Sequence, residues 1–156
     1  MSNSDNRLGE LLLRSSLINQ GQLQRARQEQ KQQGGRLGYH LTKLGFVKEQ
    51  DLTSFLSKQH GVPSIKLNEL TELDPALLQL IPREVAEKNL AFPVSRVGQS
   101  LVVALVDPAN LGAIDDLKFR TGYNIEVVVS SEQGLREAIE KYYRPVLYQI
   151  HFGIRD

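Results

Sequence analysis

Two copies of one short motif hold the residues of this chain that are best suited to binding chemistry. The tripeptide Arg-Leu-Gly at residues 7–9 recurs at residues 36–38, and in both copies a glutamine follows the arginine by 23 positions. An arginine guanidinium can donate two parallel hydrogen bonds to a phosphate or stack on a planar base. A leucine can pack on a purine face, and a glutamine amide can pair with a base edge. Each copy therefore supplies parts for one phosphate and one purine.

The motif belongs to a longer tandem duplication. Residues 7–30 align with residues 36–59 without a gap, and six of the 24 pairs are identical: Arg7/Arg36, Leu8/Leu37, Gly9/Gly38, Leu12/Leu41, Leu23/Leu52 and Gln30/Gln59. Unrelated segments of this length would share about one or two residues, so the repeat is interpreted before anything else. Two copies are too few for a solenoid. They favour one pseudo-two-fold site for a partner that is itself two-fold symmetric.

Each repeat is predicted to form a helix, a short turn and a second helix, because leucines recur at helical spacing in both copies. Asn19 and Gln22 predict a capping box at the second helix, and Gly34-Gly35 separates the copies. With Arg-Leu-Gly at the start of a helix, free N–H groups would attract an anion and glycine would permit close approach. The alternative is a helical core in which the leucines only pack on one another.

Composition excludes several classes of function. The chain of 156 residues has no cysteine, which excludes disulfides, thiolate zinc sites and thiol catalysis, and its three histidines are too scattered to predict a metal site. Its polar start is no signal peptide and no apolar run reaches the ~18 residues of a membrane span, so we expect a cytoplasmic location. Residues 1–60 carry a net charge of +4 and the remainder −3. That asymmetry, with few aromatic residues, is too weak to predict a nucleic-acid-binding protein.

Catalytic motifs are missing from the sequence. No phosphate-binding loop, nucleophile elbow or H-E-x-x-H zinc motif occurs, so we expect neither an enzyme nor a cofactor. Asp115 and Asp116 would point about 100° apart on a helix, which favours a solvated face over shared acid–base catalysis. Asp107 is placed where a predicted strand ends and could reach a neighbouring site. Its alternative role is a turn-forming Asp-Pro.

The pattern changes from helical to strand-like after residue 89. Apolar, β-branched runs on either side of Gly98-Gln99 predict a hairpin, and a helix, a strand and a last helix capped by Ser130 add one β-α-β crossover. The predicted fold class is α+β. It comprises an all-helical subdomain of two tandem helix-turn-helix repeats (1–63), a connector with short helices (64–89), a small α/β subdomain (90–143) and a strand-like tail (144–156), whose strand we expect to pair within the chain or with a partner.

The repeated pattern resembles the cyclic-di-GMP-binding N-terminal domain of type II secretion and type IV pilus assembly ATPases. The resemblance runs from Arg7 to Tyr143 and includes IPREVAEKNLAFPV (81–94) and DDLKFRTGYNIEVVVSSE (115–132), which look closest to the PilB-like branch. It implies a non-catalytic bacterial regulatory domain on a hexameric ATPase motor core. It also implies a location in the cytoplasm, at the inner membrane only through a partner such as the platform protein.

Carried over position by position, the resemblance assigns one half of the dinucleotide to each repeat. The implied ligand-binding residues are Arg7, Leu8, Gly9, Leu12, Leu23, Arg27 and Gln30 in the first repeat, Arg36, Leu37, Gly38, Leu41, Leu52, Leu56 and Gln59 in the second, and Asp107 from the α/β subdomain. It implies no metal and no catalytic residue.

Three departures from the family pattern concern this site. Ser16 replaces the glycine found at Gly45, so the first turn is expected to form without a positive φ. Arg27 stands where the second repeat has Leu56. Its aliphatic stem would cover a base while its charge meets a phosphate, or the residue would disrupt the pocket. Tyr39 occupies a position that is often polar or acidic in binders. The second half-site is therefore expected to be the better one. The alternative function is a protein-docking module that links the motor to its platform protein, with a degenerate ligand site.

Overall fold

The two sequence repeats form two helical hairpins. The computed structural model describes residues 3–143, with side chains from Asp5 onward, and the predicted strand in the tail lies outside these residues. The first repeat forms helices α1 (Asn3–Arg14) and α2 (Gln20–Gln33), and the second forms α3 (Leu37–Lys43) and α4 (Glu49–His60). The predicted capping box is confirmed, because Asn19 Oδ1 accepts the Gln22 N–H at 2.8 Å and Gln22 Oε1 accepts the Asn19 N–H at 2.9 Å.

The turns inside the two hairpins have the same backbone geometry, which corrects one prediction. Ser16 adopts a φ of +63° and Gly45 a φ of +80°, so serine enters the left-handed region after all. In both turns this residue donates its N–H to the carbonyl three residues back, and the next residue donates to the carbonyl five residues back, all at 3.0–3.1 Å. These bonds close the helix ends in the Schellman manner and hold serine in a conformation that costs about 1 kcal/mol.

The α/β part follows a connector of short elements. A single 3₁₀ turn (Leu67–Glu69) precedes α5 (Pro75–Leu80) and α6 (Arg83–Asn89); the hairpin strands β1 (Ala91–Val97) and β2 (Ser100–Leu105) are then followed by α7 (Leu111–Thr121), β3 (Asn124–Val129) and α8 (Glu132–Tyr142). The sheet order is β1-β2-β3, with β1 antiparallel and β3 parallel to β2. The predicted α+β class, hairpin and crossover are thus confirmed, while the exact domain boundaries stay a prediction.

The last helix is anchored at both ends. The predicted cap, Ser130, is wrong by one residue, because the Ser131 hydroxyl oxygen accepts the Gly134 N–H at 3.0 Å. Ser130 instead donates its backbone N–H to Leu105 O at 3.0 Å, which extends the pairing of β2 and β3. At the other end, the Tyr143 hydroxyl donates to Ile81 O at 2.6 Å, and burial raises the pKa of Tyr143 far above its ordinary value.

The helical part joins the sheet at the end of β3. Val129 is fully buried in the core of the helical hairpins, whereas its neighbour Val128 belongs to the core beneath the sheet. Val129 also exchanges backbone hydrogen bonds with the chain leaving α4, since Ile65 N donates to Val129 O and Val129 N donates to Pro63 O, both at 2.9 Å. The joint therefore places α4 beside the ends of β2 and β3. Within the described residues, no helix is long and apolar enough to cross a membrane.

Candidate ligand-binding site

A narrow cleft lies between the second repeat and the ends of β2 and β3; we call it the edge cleft. Its empty volume is about 470 Å³, including the part open to solvent. It brings together residues from both halves of the molecule: Asp5, Leu8, Arg36, Gly38, Tyr39, Thr42, Glu49, Leu52, Thr53, Leu56, Val106, Asp107, Ser131 and Glu132.

The two motif arginines occupy different positions in their helices. Arg36 is the N-cap residue of α3, is half-buried and lines the edge cleft. Arg7 is exposed and lies in the second turn of α1, which already begins at Asn3. The prediction of a free helix start at Arg-Leu-Gly is therefore wrong for the first repeat and correct for the second. Backbone N–H groups in the second turn of a helix bond to carbonyls of the preceding turn.

The motif glycines lie where a helix crosses its partner. An added Cβ at Gly38 would be 3.0 Å from Leu52 Cδ2, and one at Gly9 would be 3.1 Å from both Leu23 Cδ1 and Arg27 Nη2. Gly9 with Leu23 and Gly38 with Leu52 are equivalent pairs in the two repeats. Their shared role is close helix packing, a use of glycine that our sequence analysis assigned to the ligand.

The predicted leucines divide into two groups. Leu12, Leu23, Leu37 and Leu41 are sealed in the helical core with at most 1% of their surface exposed. Leu8, Leu52 and Leu56 are also buried but line the edge cleft. The packing alternative is thus correct for the first group, while the second group supplies an apolar wall that could meet a base.

Gln30 and His40 tie the two repeats to Asp5 and to the spacer between the repeats. Gln30 Nε2 donates to Asp5 Oδ2 at 2.8 Å and to Gly35 O at 3.0 Å, and the His40 Nε2 lies 2.6 Å from Gly34 O. This cluster borders a second, shallower groove with an empty volume of about 1090 Å³, lined by Asp5, Arg27, Gln28, Gln30, Lys31, Gly34 and Gly35. Neither groove is lined by Arg7 or Gln59, both of which are exposed.

The Arg27 side chain packs against Gly9, and Arg27 takes the place that the apolar Leu56 has in the second repeat. Its Nη2 approaches the position of a Gly9 Cβ, and its Nε is buried without a hydrogen-bond acceptor among the described residues. Gln30 Oε1 is buried without a donor, and His40 Nδ1 is buried without any partner, within that part of the chain. Buried polar atoms without partners are costly, so this half-site holds polar groups that are not yet satisfied.

Asp107 combines both roles considered from the sequence. Its Oδ1 accepts the Ala109 N–H at 2.8 Å, as expected of a turn-forming aspartate, and the side chain, 6% exposed, also lines the edge cleft. Asp5, Glu49 and Glu132 line the same cleft and were missed by the sequence analysis. Glu132 could have been found, because it follows β3 as Asp107 follows β2. Asp5 gave no signal, since it lies outside the repeat.

Comparison with known proteins places the chain among pilus and secretion proteins. Residues 60–148 match the family model of the MshEN domain. The chain is 56% identical over 137 residues to the type IV pilus assembly ATPase PilB of Myxococcus xanthus, and 31% identical over 141 residues to PilB of Thermus thermophilus. The first match covers 88% of this chain but only 24% of that PilB, so the chain spans about a quarter of its relative's length.

Solved structures share the fold. A structure of MshE with cdg superimposes with a TM-score of 0.69 at 34% identity and covers 87% of this chain and 98% of that one. The N-terminal domain of XpsE superimposes with a TM-score of 0.71 at 25% identity and covers 92% of this chain and 98% of that one. Both likenesses extend well beyond the segment matched by the family model and therefore include the helical hairpins.

Proposed function

The chain belongs to the MshEN domain family, and on that premise we propose that it is a non-catalytic domain that binds cyclic-di-GMP. The observation that carries the proposal is the edge cleft, where Arg36 and Asp107 meet the apolar wall formed by Leu8, Leu52 and Leu56. The relative MshE was solved with cdg, which is cyclic-di-GMP. The proposal extends that ligand from the relative to this chain.

The second repeat would hold the ligand more firmly than the first. A guanine base would pack on Leu8, Leu52 and Leu56, while the Arg36 guanidinium would bond to a phosphate or to the base. The other half of the dinucleotide would meet the shallower groove at Arg27 and Gln30. Arg7 would have to reach the ligand from an exposed position on α1.

Binding would bridge the helical hairpins and the ends of β2 and β3, because residues of both parts line the edge cleft. The ligand would favour the arrangement of the hairpins against the strand ends in which it contacts both sides. A ligand shifts such an equilibrium only by the difference between its affinities for the two arrangements. This shift would be the regulatory signal.

The regulated apparatus would be a type IV pilus or type II secretion motor. The relatives include pilus assembly ATPases and a type II secretion protein E of Xanthomonas campestris, which is 28% identical over 147 residues. The ATPase motor core and an inner-membrane platform protein are accordingly the proposed partners. A cytoplasmic position at the inner membrane belongs to the same proposal.

A second candidate function is the docking module, and exposed apolar side chains on α7 favour it. Leu111 is 68% exposed and Phe119 is 89% exposed, eight residues apart on one helix. Apolar side chains exposed on one helix would suit contact with another protein. If docking to the platform protein is the main function, F119A should abolish capture of that protein without any nucleotide present.

Calorimetric titration of the chain with cyclic-di-GMP tests the main proposal. We expect saturable 1:1 binding, with GTP and cyclic-di-AMP as controls that bind far more weakly. The absence of heat at high ligand concentration would overturn the proposal and leave the docking module.

A further inference from the structure

Two carboxylates follow the ends of the neighbouring parallel strands. Leu105 and Val129 are register partners at the ends of β2 and β3. Asp107 comes two residues after the first and Glu132 three residues after the second, so both reach the same edge of the sheet. Ligands of α/β folds bind at this edge, beyond the carboxyl ends of parallel strands. Both side chains line the edge cleft.

Each of these carboxylates is buried and has one oxygen in use. Asp107 is 6% exposed and its Oδ1 accepts the Ala109 N–H at 2.8 Å. Glu132 is 9% exposed, and its Oε2 accepts from Arg136 Nε at 3.1 Å and from Arg136 Nη2 at 2.8 Å. Within residues 5–143, no donor bonds Asp107 Oδ2 or Glu132 Oε1.

A carboxylate oxygen that has no protein donor is available to a ligand. Neither Asp107 Oδ2 nor Glu132 Oε1 is among the fully buried polar atoms that lack a partner, so water reaches both oxygens and a ligand would displace it. Arg136 orients Glu132, since its two N–H groups hold a single oxygen and thereby fix the direction of the other one. The free oxygen of Glu132 is therefore a pre-oriented acceptor.

The charge of the edge cleft decides which part of a nucleotide can approach this acceptor. Asp5, Glu49, Asp107 and Glu132 face one cation among the described lining residues, Arg36. A phosphate would be repelled from the carboxylate side. A base edge rich in N–H donors would be attracted. Guanine presents an imino N1–H beside its 2-amino group, whereas adenine presents an acceptor at N1.

We propose that Glu132 is a specificity-determining residue that accepts a hydrogen bond from the imino–amino edge of a guanine base. The inference rests on the proposed function and adds a residue from α8 that lies outside both repeats. Asp107 receives the same base edge from the β2 side. The phosphates then lie towards Arg36, which reaches the edge cleft from the helical part of the molecule.

The variant E132Q tests this assignment with little change of shape. The amide oxygen can keep the two bonds from Arg136, which places the amide NH₂ where Oε1 now lies. An acceptor that faces the guanine edge thus becomes a donor. We expect the affinity for cyclic-di-GMP to fall about tenfold or more and the preference over cyclic-di-AMP to fall with it, as hydrogen bonds to charged groups have this magnitude.

E137Q serves as the matched control, since Glu137 lies on the same helix with an exposed side chain outside the edge cleft. It should leave both affinities unchanged. E132D is the second variant, because it keeps the charge and loses reach. It should lose affinity for cyclic-di-GMP without gaining any for cyclic-di-AMP.

The outcomes separate this inference from the proposed function. If folded E132Q binds cyclic-di-GMP as tightly as the wild type does, with an unchanged preference over cyclic-di-AMP, the role of Glu132 is overturned. The receptor function then still stands. If E132Q does not fold, an unchanged affinity of E132D for cyclic-di-GMP overturns the role of Glu132 equally. Failure of the wild type to bind cyclic-di-GMP overturns both.

Discussion

The two repeats share a motif but differ in what surrounds it. Their turns have the same hydrogen bonds, and their glycines pack on equivalent leucines. Yet Arg36 lines the edge cleft as the N-cap residue of its helix, whereas Arg7 is exposed one turn inside α1. Repetition therefore fixes the packing of a helix pair but does not fix a binding site. The site depends on where each helix begins and on what it faces.

The reason for this difference lies just before each motif. Gly34 and Gly35 have φ values of +73° and +89°, so the chain cannot be helical there and α3 begins only at Leu37. The four residues before Arg7 contain no glycine and continue the helix back to Asn3. The two glycines thus make α3 begin directly after its motif arginine. Without such glycines, α1 begins four residues before its motif arginine.

The largest effect expected from this comparison is on ligand binding. R36A should weaken cyclic-di-GMP binding about ten- to a hundredfold, because it removes charge-assisted hydrogen bonds in a partly buried cleft. R7A, its equivalent, should change the affinity by about threefold or less, as expected of an exposed charge. Calorimetry on both variants checks the difference. Equal losses would show that the two arginines share the ligand evenly.

Replacing the two motif glycines by alanine should affect different properties, stability at Gly9 and ligand affinity at Gly38. Leu23, beside Gly9, is 1% exposed and cannot move, so G9A should destabilise the fold by about 1 kcal/mol despite the better helix propensity of alanine. Leu52, beside Gly38, borders the edge cleft and can shift into it. G38A should therefore spare stability and reduce ligand affinity. Denaturant unfolding and calorimetry measure the two properties, and a reversed pattern would contradict this explanation.

The helix caps offer a matched pair of smaller effects. N19A should cost about 1 kcal/mol of unfolding free energy, because it removes the oxygen that accepts the Gln22 N–H. Lys48 is the equivalent N-cap of α4 and makes no side-chain capping bond, so K48A should be close to neutral. Urea unfolding at one pH compares them. Similar values would mean that capping does not distinguish the hairpins.

The smallest effect concerns the turns. S16G should stabilise the chain by about 0.5–1 kcal/mol, since glycine adopts the φ of +63° without strain, although its unfolded state has more entropy. G45S should destabilise it by a similar amount. Thermal unfolding of both variants measures these changes. A destabilised S16G would mean that the serine side chain stabilises the turn in another way.

Local signals in the sequence predicted most of the fold. The capping box at Asn19, the hairpin around Gly98 and the crossover helix depend on a few neighbouring residues, and each formed as expected. The start of α1 at Asn3 was not predicted because residues 3–6 lie before the repeated pattern, which begins at Arg7. Asp5 was missed as a lining residue because only the packing of α1 brings it to the edge cleft, whereas Glu132 follows β3 as Asp107 follows β2 and could have been found from that position.

The end of β3 has a consequence for how the chain unfolds. Val128 and Val129 are consecutive residues, yet each serves a different hydrophobic core. Loosening one core displaces a strand end that the other core needs, so neither can melt on its own. The two halves should therefore lose their structure in one cooperative transition, with slow hydrogen exchange at Val129 tracking global stability.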